Sequence, residues 1–198
     1  MVEHQLMESV LSVRRLQKED IPYIVNYWLS CSDDQLEKMG ADKARLPDAA
    51  QFQLDLQNIC NTPDEQAKNF YLIWLVKDLP IGFSSLKNIS HGENGEMHLH
   101  IWNENFHGKG YGAHLFCLSV LDFYDRFRLE IIKCEPRASN PLPNRMLQKI
   151  GFPLIKSFVG ASSELSLACE LNQYSLPRSI AEEYLANLQL PYPFKTGI

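Results

Sequence analysis

Glu96–Phe116 reads E-M-H-L-H-I-W-N-E-N-F-H-G-K-G-Y-G-A-H-L-F, and this stretch decides the fold. From Glu96 to Trp102 the residues alternate. Met97, Leu99 and Ile101 share one face, and Glu96, His98, His100 and Trp102 share the other, which is the period of a strand. Asn103–Phe106 breaks the alternation. His107-Gly-Lys-Gly-Tyr-Gly112 follows, with glycine at every second position. From Ala113 the period becomes helical: Ala113, Phe116, Cys117, Val120, Phe123, Tyr124 and Phe127 recur at steps of three and four.

A glycine-rich turn that opens a helix after a strand has a definite use. Without Cβ atoms the backbone N–H groups converge and a ligand approaches closely. The first N–H groups of the helix lack intrahelical partners, and the helix dipole adds positive charge there. The result suits a phosphate or pyrophosphate. A plain tight turn is the simpler alternative. There is no Gly-Lys-Ser/Thr, and the glycine spacing does not fit the dinucleotide-binding pattern.

H-G-K-G-Y-G-A resembles the acyl-CoA loop of the GNAT N-acetyltransferases, Q/R-x-x-G-x-G/A, with His107 in place of Gln or Arg. Downstream, Asn140-Pro-Leu-Pro-Asn-Arg-Met-Leu-Gln-Lys-Ile-Gly151-Phe152 is similar to the family's N-x-x-(S/A/P)…L-x-K-x-G-F helix. The likeness spans about residues 10–174. It implies an α/β fold of the acyl-CoA N-acyltransferase type. A mixed central sheet would splay between its fourth and fifth strands, with helices on both faces. It also implies acetyl-CoA as cosubstrate. The pantetheine arm would bond to the backbone near Ile101 and Trp102. The pyrophosphate would rest on Gly108, Lys109, Gly110, Tyr111, Gly112 and Ala113, beside His107. Asn140 would reach the arm from the other side.

Acetyl transfer to an amine needs a base, because an alkyl ammonium with a pKa of about 10.4 must lose a proton before it attacks. Glu96 lies eleven residues before His107, the offset of the catalytic glutamate in the histone-acetyltransferase branch of the family. A solvated strand carboxylate is its plain alternative. His98 and His100 share its face and titrate near neutrality, so either is a second candidate. Glu96, His98 and His100 could also ligate a metal, but no fourth ligand is evident and the family uses none, so no metal is expected. Many relatives carry an acidic tyrosine seven positions after the motif asparagine; here that position is Leu147. Tyr111 and Cys134 are substitutes without a spacing argument. Glu135, Ser139, Trp74 and Trp102 are candidates to line the cleft.

The rest of the chain frames this centre. Its 198 residues suit one domain, 1–198, with a tail from 175 onward holding a helix near Ser179–Leu188 before Pro191-Tyr-Pro193. Val10–Leu16 reads as a first strand and Ile21–Leu29 as a helix. Ser32–Asn61 reads as a helical excursion beside the acceptor groove. Phe70–Lys77, Ile81–Ile89 and Leu129–Glu135 read as strands, and Pro136–Pro143 as irregular. Asn144–Ile150 reads as a helix ended by Gly151, and Phe152–Val159 and Glu164–Tyr174 as a closing hairpin. A net charge of −5 disfavours nucleic acid as a partner. No apolar run is long enough for a membrane span, and the N-terminal residues lack a signal peptide's pattern. Five scattered cysteines fit reduced thiols in a cytoplasm. The expected function is acetyl transfer by direct attack of a primary amine on a small molecule or protein. A catalytically inactive CoA-binding sensor or interaction module on the same fold is the alternative. A homodimer is compatible with either.

Overall fold

The computed structural model describes residues 11–187. Seven strands form one sheet in the order β1-β2-β3-β4-β5-β7-β6. They are β1 (Leu11–Arg15), β2 (Phe70–Val76), β3 (Leu79–Ser90), β4 (Asn94–Ile101), β5 (Ile131–Cys134), β6 (Leu154–Gly160) and β7 (Cys169–Ser175). Only β4 and β5 pair in parallel, and only through Asn94↔Ile131, Gly95↔Ile132 and Glu96↔Lys133. Beyond Glu96, β4 continues to Ile101 with β3 on one side and no strand on the other. This is the splay that the family resemblance implies.

Helices α1 (Ile21–Ser30), α2 (Asp33–Met39) and α3 (Ala49–Asn61) cover one face of the sheet. Helices α4 (Tyr111–Phe127), α5 (Pro141–Ile150) and α6 (Arg178–Asn187) cover the other. The alternation in β4 serves both layers. Met97 is fully buried beneath α4 with Leu99 and Ile101 beside it, whereas Trp102 packs with α1 and Phe83. Trp74 lies wholly in the α4 layer, where its indole N–H donates to Ser84 and Ser119 at 3.2 and 2.9 Å. It therefore does not line the cleft, contrary to expectation.

Three boundaries differ from the sequence reading. Helix α5 starts at Pro141, so Pro141–Pro143 is helical rather than irregular; the N–H groups the prolines lack belong to a first turn that leaves such groups unbonded anyway. The closing hairpin is joined by a longer connection, since β7 begins at Cys169 and not at Glu164. Helix α4 begins two residues before Ala113, at Tyr111. Gly151 caps α5 in the left-handed conformation, as its position suggested. Val10, Leu188 and the Pro191–Pro193 segment lie outside the described residues.

Candidate active site

The glycine turn sits where β4 ends. Gly108 and Gly110 have φ of +72° and +82°, and a Cβ at either would meet nothing within 4 Å. Gly110 is the N-cap of α4, and no side chain caps this helix. The first N–H groups of a long helix therefore lie without a side-chain cap beside the splay, a setting that suits an anion. Gly112 has ordinary helical backbone; a Cβ there would lie 3.6 Å from Ile101 Cδ1 and 3.8 Å from Met146 Sδ. Lys109 and Tyr111 point away: the ammonium of Lys109 lies over the Phe106 ring, and Tyr111 packs on that same ring. His107 bonds through Nε2 to the Ile101 carbonyl at 3.0 Å and so ties the turn to β4.

The β4 backbone divides its hydrogen bonds by parity. The Trp102 N–H donates to the Ile81 carbonyl at 3.0 Å, which assigns the even-numbered residues to β3. Leu99 and Ile101 consequently aim their N–H and C=O groups into the gap. The Trp102 N–H and the Ile101 C=O are both already engaged, so the Ile101 N–H and the Leu99 groups are the backbone positions open toward the gap, and Trp102 presents its ring there. That ring stacks on Tyr23 at 5.8 Å.

The floor of the cleft is a grid fixed by register. Ile73, Phe83 and His100 form one row across β2–β4, Tyr71, Ser85 and His98 a second, and Lys87 faces Glu96 in a third. Tyr27, Trp28, Phe52 and Asp55 wall this floor from α1 and α3. Together with Gly108, Gly110, Gly112, Ala113, Glu135, Ser139 and Asn140 these residues line one continuous cleft of about 1740 Å³. The polar and glycine-rich residues are thus gathered in one place, with the glycine turn at one end and the polar rows at the other.

Each candidate base has a distinct setting. Glu96 is half-buried and accepts a bond from Asn88 Nδ2 at 3.0 Å. His98 is half-buried with its Nε2 enclosed and unpartnered, and desolvation helped by the nearby Lys87 charge pushes its pKa down to about 3. His100 is held between Phe83, at 5.0 Å and nearly parallel, and Trp28, with Nδ1 3.3 Å from the Tyr27 hydroxyl. Burial pushes its pKa down to about 3 as well, with smaller contributions from His98 and Lys87. Burial thus disfavours the protonated form of both rings. Among the described residues no group of three His, Cys, Asp or Glu side chains is placed to hold a metal.

Leu147 is fully buried, so no acid occupies that position. Cys134 lines the cleft as a thiol whose pKa burial raises to about 12. Tyr184, from α6, also lines it, and burial raises its pKa. It was not foreseen, because only the packing of α6 on α4 brings it there. Asn140 caps α5 through Leu142 N–H at 3.3 Å and donates to the Lys38 carbonyl at 3.3 Å. Nearby, Arg137 donates to the Glu37 carbonyl, Asp42 N–H to Leu165 O at 2.7 Å, and Arg45 to Ser166 O at 2.9 Å. Residues 37–45 thus bridge the splay, from α2 to the loops that flank β5 and β7.

The profile of the acetyltransferase (GNAT) domain matches residues 11–153. The chain belongs to the GNAT acetyltransferase family. Among curated proteins none matches significantly. Solved structures share the GNAT fold at low identity. RimL, a ribosomal L7/L12 α-N-protein acetyltransferase solved with coenzyme A, superposes with a TM-score of 0.69 at 13% identity, over 84% of this chain and 93% of its own. The microcin C7 self-immunity acetyltransferase MccE, solved with acetyl-CoA and AMP, gives 0.68 at 15%, over 84% and 92%. Dodecameric spermidine N-acetyltransferase from Vibrio cholerae gives 0.64 at 16%, over 86% and 95%. No helix among the described residues of this GNAT chain is long and apolar enough to cross a membrane.

Proposed function

We propose that this protein is an acetyl-CoA-dependent N-acetyltransferase that acts by direct attack of a primary amine. The carrying observation is the uncapped α4 N-terminus at Gly110, opening beside the β4–β5 gap in the same cleft as Glu96. Bound acetyl-CoA supplies an activated acyl thioester. The N–H groups of Gly112 and Ala113 hold its phosphates, with Gly108 and Gly110 leaving them room. Leu99 and Ile101 bond to the arm, and Asn140 borders it from α5. Glu96 takes the proton of the acceptor ammonium directly or through water. The inward-facing Leu99 N–H is placed to donate to the acyl oxygen as negative charge develops there. The acceptor is a small molecule or a protein amine, and its walls are Tyr27, Trp28, Phe52 and Tyr71. The setting is the cytoplasm.

The test is thermal unfolding with acetyl-CoA, CoA and NAD in parallel, followed by thiol release with a panel of amines. Acetyl-CoA and CoA raise the midpoint and NAD does not, because only a ligand of the native state stabilises it. No rise at saturating acetyl-CoA refutes the reading.

A further inference from the structure

Lys87 is a cleft residue whose amine the proposed reaction does not use. It sits near the end of β3, in the last regular pair before the register breaks, faces Glu96 across the strand pair, and lines the cleft floor. Its ammonium joins none of the ion pairs among the described residues. Its charge is felt by the rings of His98 and His100 on β4, and by Glu164 in the β6–β7 connection. The side chain is half-buried along the cleft floor. Beside it, His98 lines the cleft with its Nε2 buried and without a partner.

We infer that Lys87 is itself an acceptor: the enzyme acetylates its own Lys87 in cis, in the cleft where external amines react. This rests on the proposed acetyl-CoA chemistry. Burial lowers the lysine's pKa, more than the nearby Glu164 and Glu96 raise it, so a larger share of the amine is neutral than on the surface. The Nζ lone pair forms the new N–C bond at the acetyl carbonyl carbon. The C–S bond breaks, sulfur leaves with its electron pair as the CoA thiolate, and the extra proton on Nζ passes to Glu96. The product is an Nε-acetyl-lysine, uncharged, beside His98. Lys38 and Lys149 also line the cleft, but both are exposed and serve as internal controls.

The experiment incubates the full chain with acetyl-CoA and no added amine, then maps acetylation by peptide mass spectrometry. Lys87 is expected to carry about tenfold more acetyl than Lys38 or Lys149, because confinement raises its effective concentration. The rate per chain is independent of protein concentration, as a reaction in cis requires. Glu96→Gln slows the mark, and Lys87→Arg removes it without shifting it to a neighbour. If acetyl-CoA raises the melting temperature but Lys87 is marked no more than Lys149, this inference is overturned and the proposed function stands. If acetyl-CoA neither stabilises the chain nor marks Lys87, both fall. Equal marking in heat-denatured protein also overturns it.

Discussion

Replacing Gly110 with glutamate tests the cradle most directly. The residue lies in left-handed backbone, with open space where a Cβ would go. The substitution therefore causes no clash, and its cost to the free protein is conformational, about 1–2 kcal/mol. For a chain of this size that lowers the melting temperature by about 2–8 °C. The effect on binding is larger. A carboxylate about 4 Å from a phosphate, at an effective dielectric of about 20, opposes it by about 4 kcal/mol, or roughly a thousandfold in affinity. Gly110→Ala is the control, since it carries the backbone strain without the charge. Gly112→Ala is a second, because its Cβ makes only ordinary contacts and alanine favours the helix by about 0.8–1.0 kcal/mol. Calorimetry with acetyl-CoA and melting with and without it separate the two effects. In the unaltered protein, acetyl-CoA at about 100 times its Kd adds about 2.7 kcal/mol of stability. If Gly110→Glu binds acetyl-CoA within about threefold of the original chain, a difference of only about 0.7 kcal/mol, the phosphate is not held there.

Glu96→Gln lowers turnover by about 10²–10⁴ while acetyl-CoA affinity is retained; unchanged turnover would move the base elsewhere. His98 and His100 have native pKa values pushed down to about 3, below the unfolded value of about 6.5, so as pH falls the native state binds fewer protons than the unfolded state. Their contribution is intact above about pH 6.5 and declines as pH drops toward about 3; between pH 6.5 and 5 each ring accounts for up to about 2 kcal/mol. His100→Phe keeps the aromatic stack and removes the titration, so urea unfolding of this variant depends less on pH, and an identical pH dependence refutes the burial account. Asn144 donates to Arg137 O and Asn140 O and accepts from Asn172 and Tyr174, so Asn144→Leu destabilises the β5–α5 junction by about 3 kcal/mol, measured by denaturant midpoint.

The parts that were legible in the chain are those governed by local periodicity. Alternation marked β4, steps of three and four marked α4, and Gly151 announced the end of α5. Pro141 and Pro143 misled, because a proline in a helix's first turn looks the same in sequence as one in a loop. The environments of the site residues were hidden for another reason. His100 is aromatic-clad only because Trp28 comes from α1 and Phe83 from β3. Lys87 meets Glu96 only through the β3–β4 register, and Tyr184 reaches the cleft only through α6. Each depends on contacts distant along the chain, for which no short motif exists.

The bridge formed by residues 37–45 gives the splayed sheet a property that neither lip has alone. The β4–β5 seam joins the two halves at one end of the gap, and the bonds of Arg137, Asn140, Asp42 and Arg45 tie them again across it. A wedge held at two points has a set aperture. Widening it must break several hydrogen bonds at once, so the width of the slot is set as much by residues 37–45, far from the glycine turn, as by the seam itself.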